Sequence, residues 1–563
     1  MRLSVNRTAL LIAAFAALFS IFPLTDTDIW WHLACAREWV TTWTPVRTPV
    51  VNVHEYFQMV VSFVYGLGGA PLLVAFKAML WGIVFALFLR SCEPPKNVIA
   101  VFLLFIFRYH LELRPVLFSL LFLGIYWNVL PSVFLGNIGR TLFENEKRHC
   151  EPRRGVAISS CGNVTLVLAI QWFWCKCQGL YILGPLFALL VLVAFIWDSR
   201  RAGENVSLKS FAWRIAFVLA LFAMPFLHRE GLNLFLYPFG LLDRLLGLSP
   251  SAAVFASEIA ENRSPITLLM AGENTLECVL MIALCVAGII WCTRFFFMCH
   301  PEPIRQAQGK LRAKLVVEGP LGSEAISRRM VQNAALLVTA ILALVAERNF
   351  VLFLPVLLGM KNEKIKIKKD HSSFFILHSS FKHLNSKFFP LSCSFVSRLS
   401  SLVFRLSSFV SRLSSLVFRL SSLVCAAFLL GLWGRSLSAY DSSMVAYQRV
   451  PVGAANWMLQ HLHAGRLFND DRAGGYFAFM NPTDSIYIDG RFILKTADFF
   501  ERYLEYANNP ALFLADADSL NIDRAVFPLR YYARWDSLLH ALEKTPRWRL
   551  AYRDDYFVVF DKK

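Results

Sequence analysis

Between Pro23 and Ala34 the chain reads PLTDTDIWWHLA, which sets Asp26 and Asp28 two residues apart beside Trp30, Trp31 and His32. In an extended loop both carboxylates face one side, and such a pair suits two chemistries. It can hold a hydrated divalent cation, Mg²⁺ or Mn²⁺, which takes oxygen ligands and bridges phosphates. Alternatively, one carboxylate acts as general base on an acceptor hydroxyl, with aromatic faces at hand for the apolar face of a sugar. An architectural reading competes. If a helix starts at Ile29, Asp28 is its N-cap and Ile29, Leu33, Ala36 and Val40 form an apolar stripe. The two indoles then anchor the helix at headgroup level, where indoles are favoured. That reading leaves Asp26 and His32 without a role.

The elements that must position these residues are apolar. Of 563 residues 56% are hydrophobic and only 17% charged, outside the range of soluble domains. Apolar runs recur from Ala9–Leu24 to Leu423–Leu432. Several approach the roughly 20 helical residues that cross a hydrocarbon core. They predict an α-helical polytopic membrane protein of about ten to twelve spans and exclude a β-barrel, whose strands are short and alternating. Arg2 and Arg7 precede an apolar stretch with no clear cleavage site, which predicts an uncleaved first span with its basic flank cytoplasmic. The first loop, about residues 25–58, then lies on the far side with Asp26 and Asp28.

The net charge of +18 resembles a nucleic-acid signal until it is located: residues 361–425 hold +9 of it, from seven Lys and four Arg against Glu363 and Asp370. The remainder is spread over short loops, where it sets topology, and nucleic acid is not an expected partner. Twelve cysteines include no CxxC pair, and Cys278, Cys285 and Cys292 recur every seven residues as packing thiols of one helix.

Three stretches read as insertions between spans: 144–161, 301–315 and 361–425. The last repeats FVSRLSSLVFRLSS at 395–408 unchanged at 409–422, which points to sequence expansion or to a basic amphipathic helix on anionic lipid. Composition divides the chain into a membrane domain, 1–435, and a soluble α/β domain, 446–563. In the latter GAANWMLQHLH and DFFERYLEYANN read as helices, and SIYID, RAVFPL, RLAYRD and YFVVFD as strands, the last two as a hairpin across Asp554–Asp555. FNDDRAGGYF reads as a turn before Gly474–Gly475, with turn chemistry for Asp471 and Gly475.

The run TDTDIWWHLACAREWV followed by TPVVNVHEYF resembles a family of bacterial polytopic membrane proteins related to the GT-C glycosyltransferases. Members show D-x-D/W-W-H-L-x-x-G after the first span and then an N-H-E-W-L-like motif. Collinear matches continue through LRPVLFS (113–119), ENRSP (261–265), RNFVLFLP (348–355), RLFNDDRAGGYFAF (466–479) and IYIDGRF (486–492). The resemblance implies a GT-C-like helical bundle with a soluble C-terminal domain in a bacterial plasma membrane. It implies transfer of a sugar from a polyprenyl-phosphate carrier to a glycan, lipid or protein acceptor of the cell envelope. By position, Asp26 or Asp28 is the base or metal ligand, and His54 and Glu55 are a second polar pair in the catalytic loop. Trp30, Trp31, His32, Arg114, Arg348, Asp489 and Arg491 are candidate substrate contacts, the arginines through fork geometry toward phosphate. The chain departs from the family at WCKCQG (174–179), where Lys176 and Gln178 stand in the polar places of W-x-N-x-H-G, and at Ala36 in place of Gly. A lipid-linked-glycan flippase and a non-catalytic envelope scaffold are the alternative readings.

Overall fold

A computed structural model of the protein describes residues 7–90, 97–135, 154–202, 207–246, 249–299, 323–360, 421, 423–530 and 533–563. The expected insertion at 301–315 lies outside these residues, as does nearly all of 361–425. Of the insertion at 144–161, residues 154–161 are helical rather than interrupting.

The membrane part is built of helices α1 (Arg7–Phe19), α2 (Asp28–Arg37), α3 (Glu55–Leu89), α4 (Asn97–Ile106), α5 (Pro115–Leu135), α6 (Arg154–Trp174), α7 (Leu183–Ala202), α8 (Leu208–Ala223), α9 (Leu232–Leu246), α10 (Pro250–Glu258), α11 (Pro265–Met270), α12 (Thr275–Cys299), α13 (Ser323–Val345) and α14 (Phe350–Leu358). With their flanking turns, five helices among the described residues are long and apolar enough to cross a membrane: Glu55–Leu89, Pro115–Phe134, Gly179–Trp197, Leu208–Leu227 and Thr275–Phe296. Shorter apolar helices accompany them, one of them α15 (Leu423–Ser438). The protein is a multi-pass α-helical membrane protein with a small C-terminal α/β unit.

The two apolar runs on either side of Gly69 are two helical segments joined by a kink within α3. α3 breaks at Gly68–Gly69, where Gly69 takes φ +65°, a conformation open to glycine, and resumes through Pro71. Cys278, Cys285 and Cys292 are buried on α12 as packing thiols.

The C-terminal unit contains α16 (Val452–Gln460), β1 (Arg466–Asn469), α17 (Asp471–Met480), α18 (Ala497–Asn508), α19 (Pro510–Ser519), β2 (Ile522–Pro528), α20 (Asp536–Lys544), β3 (Trp548–Arg553) and β4 (Phe557–Lys562). Its sheet has the order β1-β2-β4-β3, with β1 and β2 parallel and the other pairs antiparallel, so the expected β3–β4 hairpin is present. SIYID (485–489) is not a sheet strand. Its backbone pairs instead with the first loop: Trp43 N donates to Ile486 O (3.1 Å) and Thr44 Oγ1 to Tyr487 O (2.5 Å). The turn expected at FNDDRAGGYF is a helix, α17, capped by Asp470, whose Oδ1 accepts from Arg472 N. The core of the bundle runs without interruption through α2 into α17 and the sheet residues Val526, Phe557 and Val559.

Candidate active site at the junction of the first loop and the C-terminal unit

α2 starts at Asp28, not after it. Thr27 precedes the helix without a side-chain cap, and Asp26 Oδ1 accepts from the Asp28 amide at 3.2 Å, turning the loop into the helix. α17 packs on α2 because Gly475 has no side chain: a Cβ there would stand 3.0 Å from Trp31 N. At Gly474 a Cβ would overlap Ile488 O, and at Gly490 it would overlap Asp28 Oδ1. Asp28 therefore touches the Asp489–Gly490–Arg491 backbone, and residues more than 450 positions apart form one site.

The indoles are not headgroup anchors. Trp30 is 1% exposed, held between Tyr476 (4.8 Å), Phe479 (5.3 Å) and Tyr65 (6.1 Å). Trp31 lies under α17, its ring tilted against that of His32 with centroids 3.6 Å apart. Both are walls of the loop, without a free face for a sugar. His32 and His54 sit 5.1 Å apart. Burial lowers the pKa of both, of His54 to about 4, so each is neutral at physiological pH. His54 Nδ1–H donates to Cys177 O at 3.2 Å, which fixes its tautomer. Glu55, the next residue, turns the other way. It pairs with Lys176 Nζ at 2.8 Å, which also meets Glu230 at 2.5 Å, and Lys176 is only 3% exposed. The lysine that departs from the family pattern is thus the counter-ion of the expected second acid, and His54 and Glu55 do not act as one pair.

The centre is Arg114. Its Nη1 and Nη2 reach Glu261 at 2.6 and 2.7 Å, its Nε reaches Glu112 at 2.7 Å, and Asp26 lies further off at 3.1 and 3.3 Å. One guanidinium cannot neutralise three carboxylates. Glu261, gripped by both prongs and flanked by Arg348 and Arg472, is drawn down to about 2. Asp26 is pushed up by burial and by its acidic neighbours, against the pull of Arg114. Asp28, beyond direct reach of Arg114, is raised by burial to about 6. Arg348 completes the group, its charge acting on Glu261, Arg114 and Asp28.

Arg491 grips Asp489 through Nε (2.9 and 3.0 Å) and Nη2 (2.6 Å). Its Nη2 also donates to Val40 O at 2.9 Å, and its guanidinium lies 4.8 Å from the Trp39 ring and 5.6 Å from that of Trp31. It ties the exit of α2 to the C-terminal unit. Lys495 does the same for the next turn of the loop, donating to Thr42 Oγ1 (2.8 Å) and Thr44 Oγ1 (2.6 Å). Asn469 spans the backbone of the same segment, accepting from Tyr487 N and donating to Ile488 O.

The pair Asp26 and Asp28 is a poor fit for a divalent ion as arranged. Both Asp26 oxygens face the guanidinium, a fixed cation in the place a metal would need. No third carboxylate, imidazole or thiol joins the two Asp in a ligand group among the described residues. The one three-donor group there is His110 and Glu347, on the turns before α5 and α14, with Glu277 in the first turn of α12. His110 and Glu277 are already an ion pair at 3.4 Å.

Sequence reasoning assigned no role to Glu112, Glu261 or Lys495, and gave Asn469 only turn chemistry. Glu112 and Glu261 stand in or beside LRPVLFS and ENRSP, so a charged residue next to a span was the available signal.

Fold and site together define a multi-pass membrane protein with a partly buried carboxylate–guanidinium centre beside its C-terminal unit. No protein-family model matches the chain, and no curated protein matches it. Among solved structures it is similar to the archaeal oligosaccharyltransferase AglB from Archaeoglobus fulgidus, in complex with an inhibitory peptide and a dolichol-phosphate. The identity is 10%, over 92% of this chain and 69% of that one, with a TM-score of 0.46. It is also similar to a crystal structure of the Archaeoglobus fulgidus oligosaccharyltransferase in complex with Zn and sulfate, at 12% identity over 92% and 67%, with a TM-score of 0.43.

Proposed function

We propose that the protein is an integral-membrane glycosyltransferase of the bacterial plasma membrane, moving a sugar from a polyprenyl-phosphate carrier to a cell-envelope acceptor. The observation behind this reading is the position of Asp28: a carboxyl with a pKa near 6, against the Gly490 backbone and beside the Arg114–Arg348 pair. A base of that pKa is ionised at neutral pH and still strong enough to take a proton from an acceptor hydroxyl. Arg348 offers fork geometry to a leaving phosphate, the group on which negative charge grows as the glycosidic bond breaks, and Arg114, its donors engaged by Glu261, Glu112 and Asp26, adds its charge. Asp26 holds the Arg114 guanidinium in place, with both carboxyl oxygens turned to it. Asp489 and Arg491 position α2, and Trp30, Trp31, His32 and His54 form the neutral wall that keeps water from the loop. Glu55 takes no part.

The test is turnover by purified protein in nanodiscs, offered a panel of polyprenyl-phosphate hexoses and pentoses with envelope lipid and glycan acceptors. Release of free polyprenyl phosphate, dependent on acceptor and lost in Arg114→Met, supports the reading. A fully folded protein that turns over no member of the panel overturns it in favour of a scaffold.

A further inference from the structure

α9 is too short to cross a bilayer. Its 15 residues span about 22 Å against a hydrocarbon core of about 30 Å. Yet it carries an exposed apolar face. Leu232, Leu236, Phe239 and Leu242 are each 43–58% exposed and follow one another at helical spacing. The opposite face is docked. A Cβ on Gly179 would meet the Tyr237 ring at 2.7 Å and Leu241 at 3.5 Å, and Tyr181 Oη donates to Leu234 O at 2.6 Å. At 100° per residue, 234, 237 and 241 lie roughly opposite 232, 236 and 239.

Two spans fix the depth of this helix. Gly179 opens the span Gly179–Trp197, and the span Leu208–Leu227 ends four residues before α9 begins, on the same side of the membrane. α9 is docked on the mouth of one span and connected to the mouth of the other, so it lies at the boundary of headgroups and acyl chains. Phe226 and Leu227, both exposed, continue its apolar face directly into the lipid-facing surface of the second span. Asp243, the charge that falls on that face, is turned into the following loop, accepting from Ser249 N (3.0 Å) and Oγ (2.9 Å).

From these observations we infer that α9 is an in-plane membrane-surface helix, with Leu232, Leu236, Phe239 and Leu242 immersed in the leaflet on the side of the candidate site. The partner is the phospholipid surface itself, held through apolar burial. In water a contiguous apolar strip of this kind is an aggregation hazard, and its continuity with the spans removes that hazard. The helix also links bilayer and site. It leads into α10, whose Phe255 stacks on Phe500 of α18 at 5.0 Å, and then to Glu261 at the Arg114 centre.

The test is photocrosslinking of the full chain in phosphatidylcholine nanodiscs, with benzoylphenylalanine placed singly at four exposed apolar positions. Phe239 and Leu236 probe the strip, Leu219 on α8 is the lipid-facing control, and Leu462, 87% exposed in the C-terminal unit, is the aqueous control. Peptide mass spectrometry should find phospholipid adducts at 236, 239 and 219 and none at 462. Lipid adducts at 219 with none at 236 or 239 overturn the inference. None of the four touches the candidate site, so this outcome is independent of the proposed transferase activity.

Discussion

Asp28→Asn should make the protein inactive and more stable at once. The fold raises this carboxyl from an ordinary 3.8 to about 6, chiefly by burial. A raised carboxyl pKa means that the folded state favours the proton. Stability is therefore lost as the pH rises from about 4 to about 6, and the full cost is carried at neutral pH. A displacement of roughly two pH units at 1.36 kcal/mol each sets the cost near 3 kcal/mol, and partial solvent access brings it to about 1–3 kcal/mol. Asn keeps the shape, cannot ionise, and recovers that amount. In nanodiscs at pH 7 its unfolding midpoint should rise by a few degrees, and the gain should vanish below about pH 4, where wild-type Asp28 is also neutral. As general base its loss should lower turnover by about 10²–10⁴-fold. The wild type should lose turnover about tenfold per pH unit below 6. A variant that keeps its rate within a few-fold, or melts below wild type at pH 7, refutes both the role and the electrostatic account behind it.

Three further outcomes follow from the geometry. Gly490→Ala drives a methyl group into Asp28 Oδ1 and should lower turnover at least about tenfold by displacing the base, with unchanged helicity by circular dichroism. Lys176→Met leaves Glu55 and Glu230 without their counter-ion and should cost about 1–3 kcal/mol in chemical denaturation; Glu55→Gln in the same background should restore part of it, and a neutral Lys176→Met is the contrary result. His463 bridges Asp523 (2.8 Å) and Asp484 (3.1 Å), which outweigh its burial and raise its pKa. Its contribution is complete below the unfolded value near 6.5 and is lost as the pH rises through the folded value, so wild type should lose stability above about pH 6.5 relative to His463→Gln, and parallel pH profiles would exclude the clamp.

Local chemistry carried much of this protein into view. The helical membrane class follows from apolar run length alone, because a backbone in hydrocarbon has few ways to satisfy its hydrogen bonds. The amphipathic periods of GAANWMLQHLH and DFFERYLEYANN and the strand pair RLAYRD and YFVVFD are nearest-neighbour signals and survive in the fold. Where a role depends on a distant partner, the local reading misled. Gly474 and Gly475 read as a turn, yet Gly475 is the flat spot on which a helix more than 440 residues away is seated, and Gly474 lets the Ile488 backbone approach. Trp30 and Trp31 read as lipid anchors because their period allows it, whereas α17 covers them.

Residue order shows two carboxylates, two indoles and an imidazole after the first apolar run, and an Asp-Gly-Arg near the far end of the chain. Tertiary structure alone decided which of these groups can do chemistry. Burial and the Arg114 guanidinium send one carboxyl up, one down and one to about 6, and Lys176 removes Glu55 from contention. Charges act through space at a few ångströms, and spacing along the chain does not measure that distance.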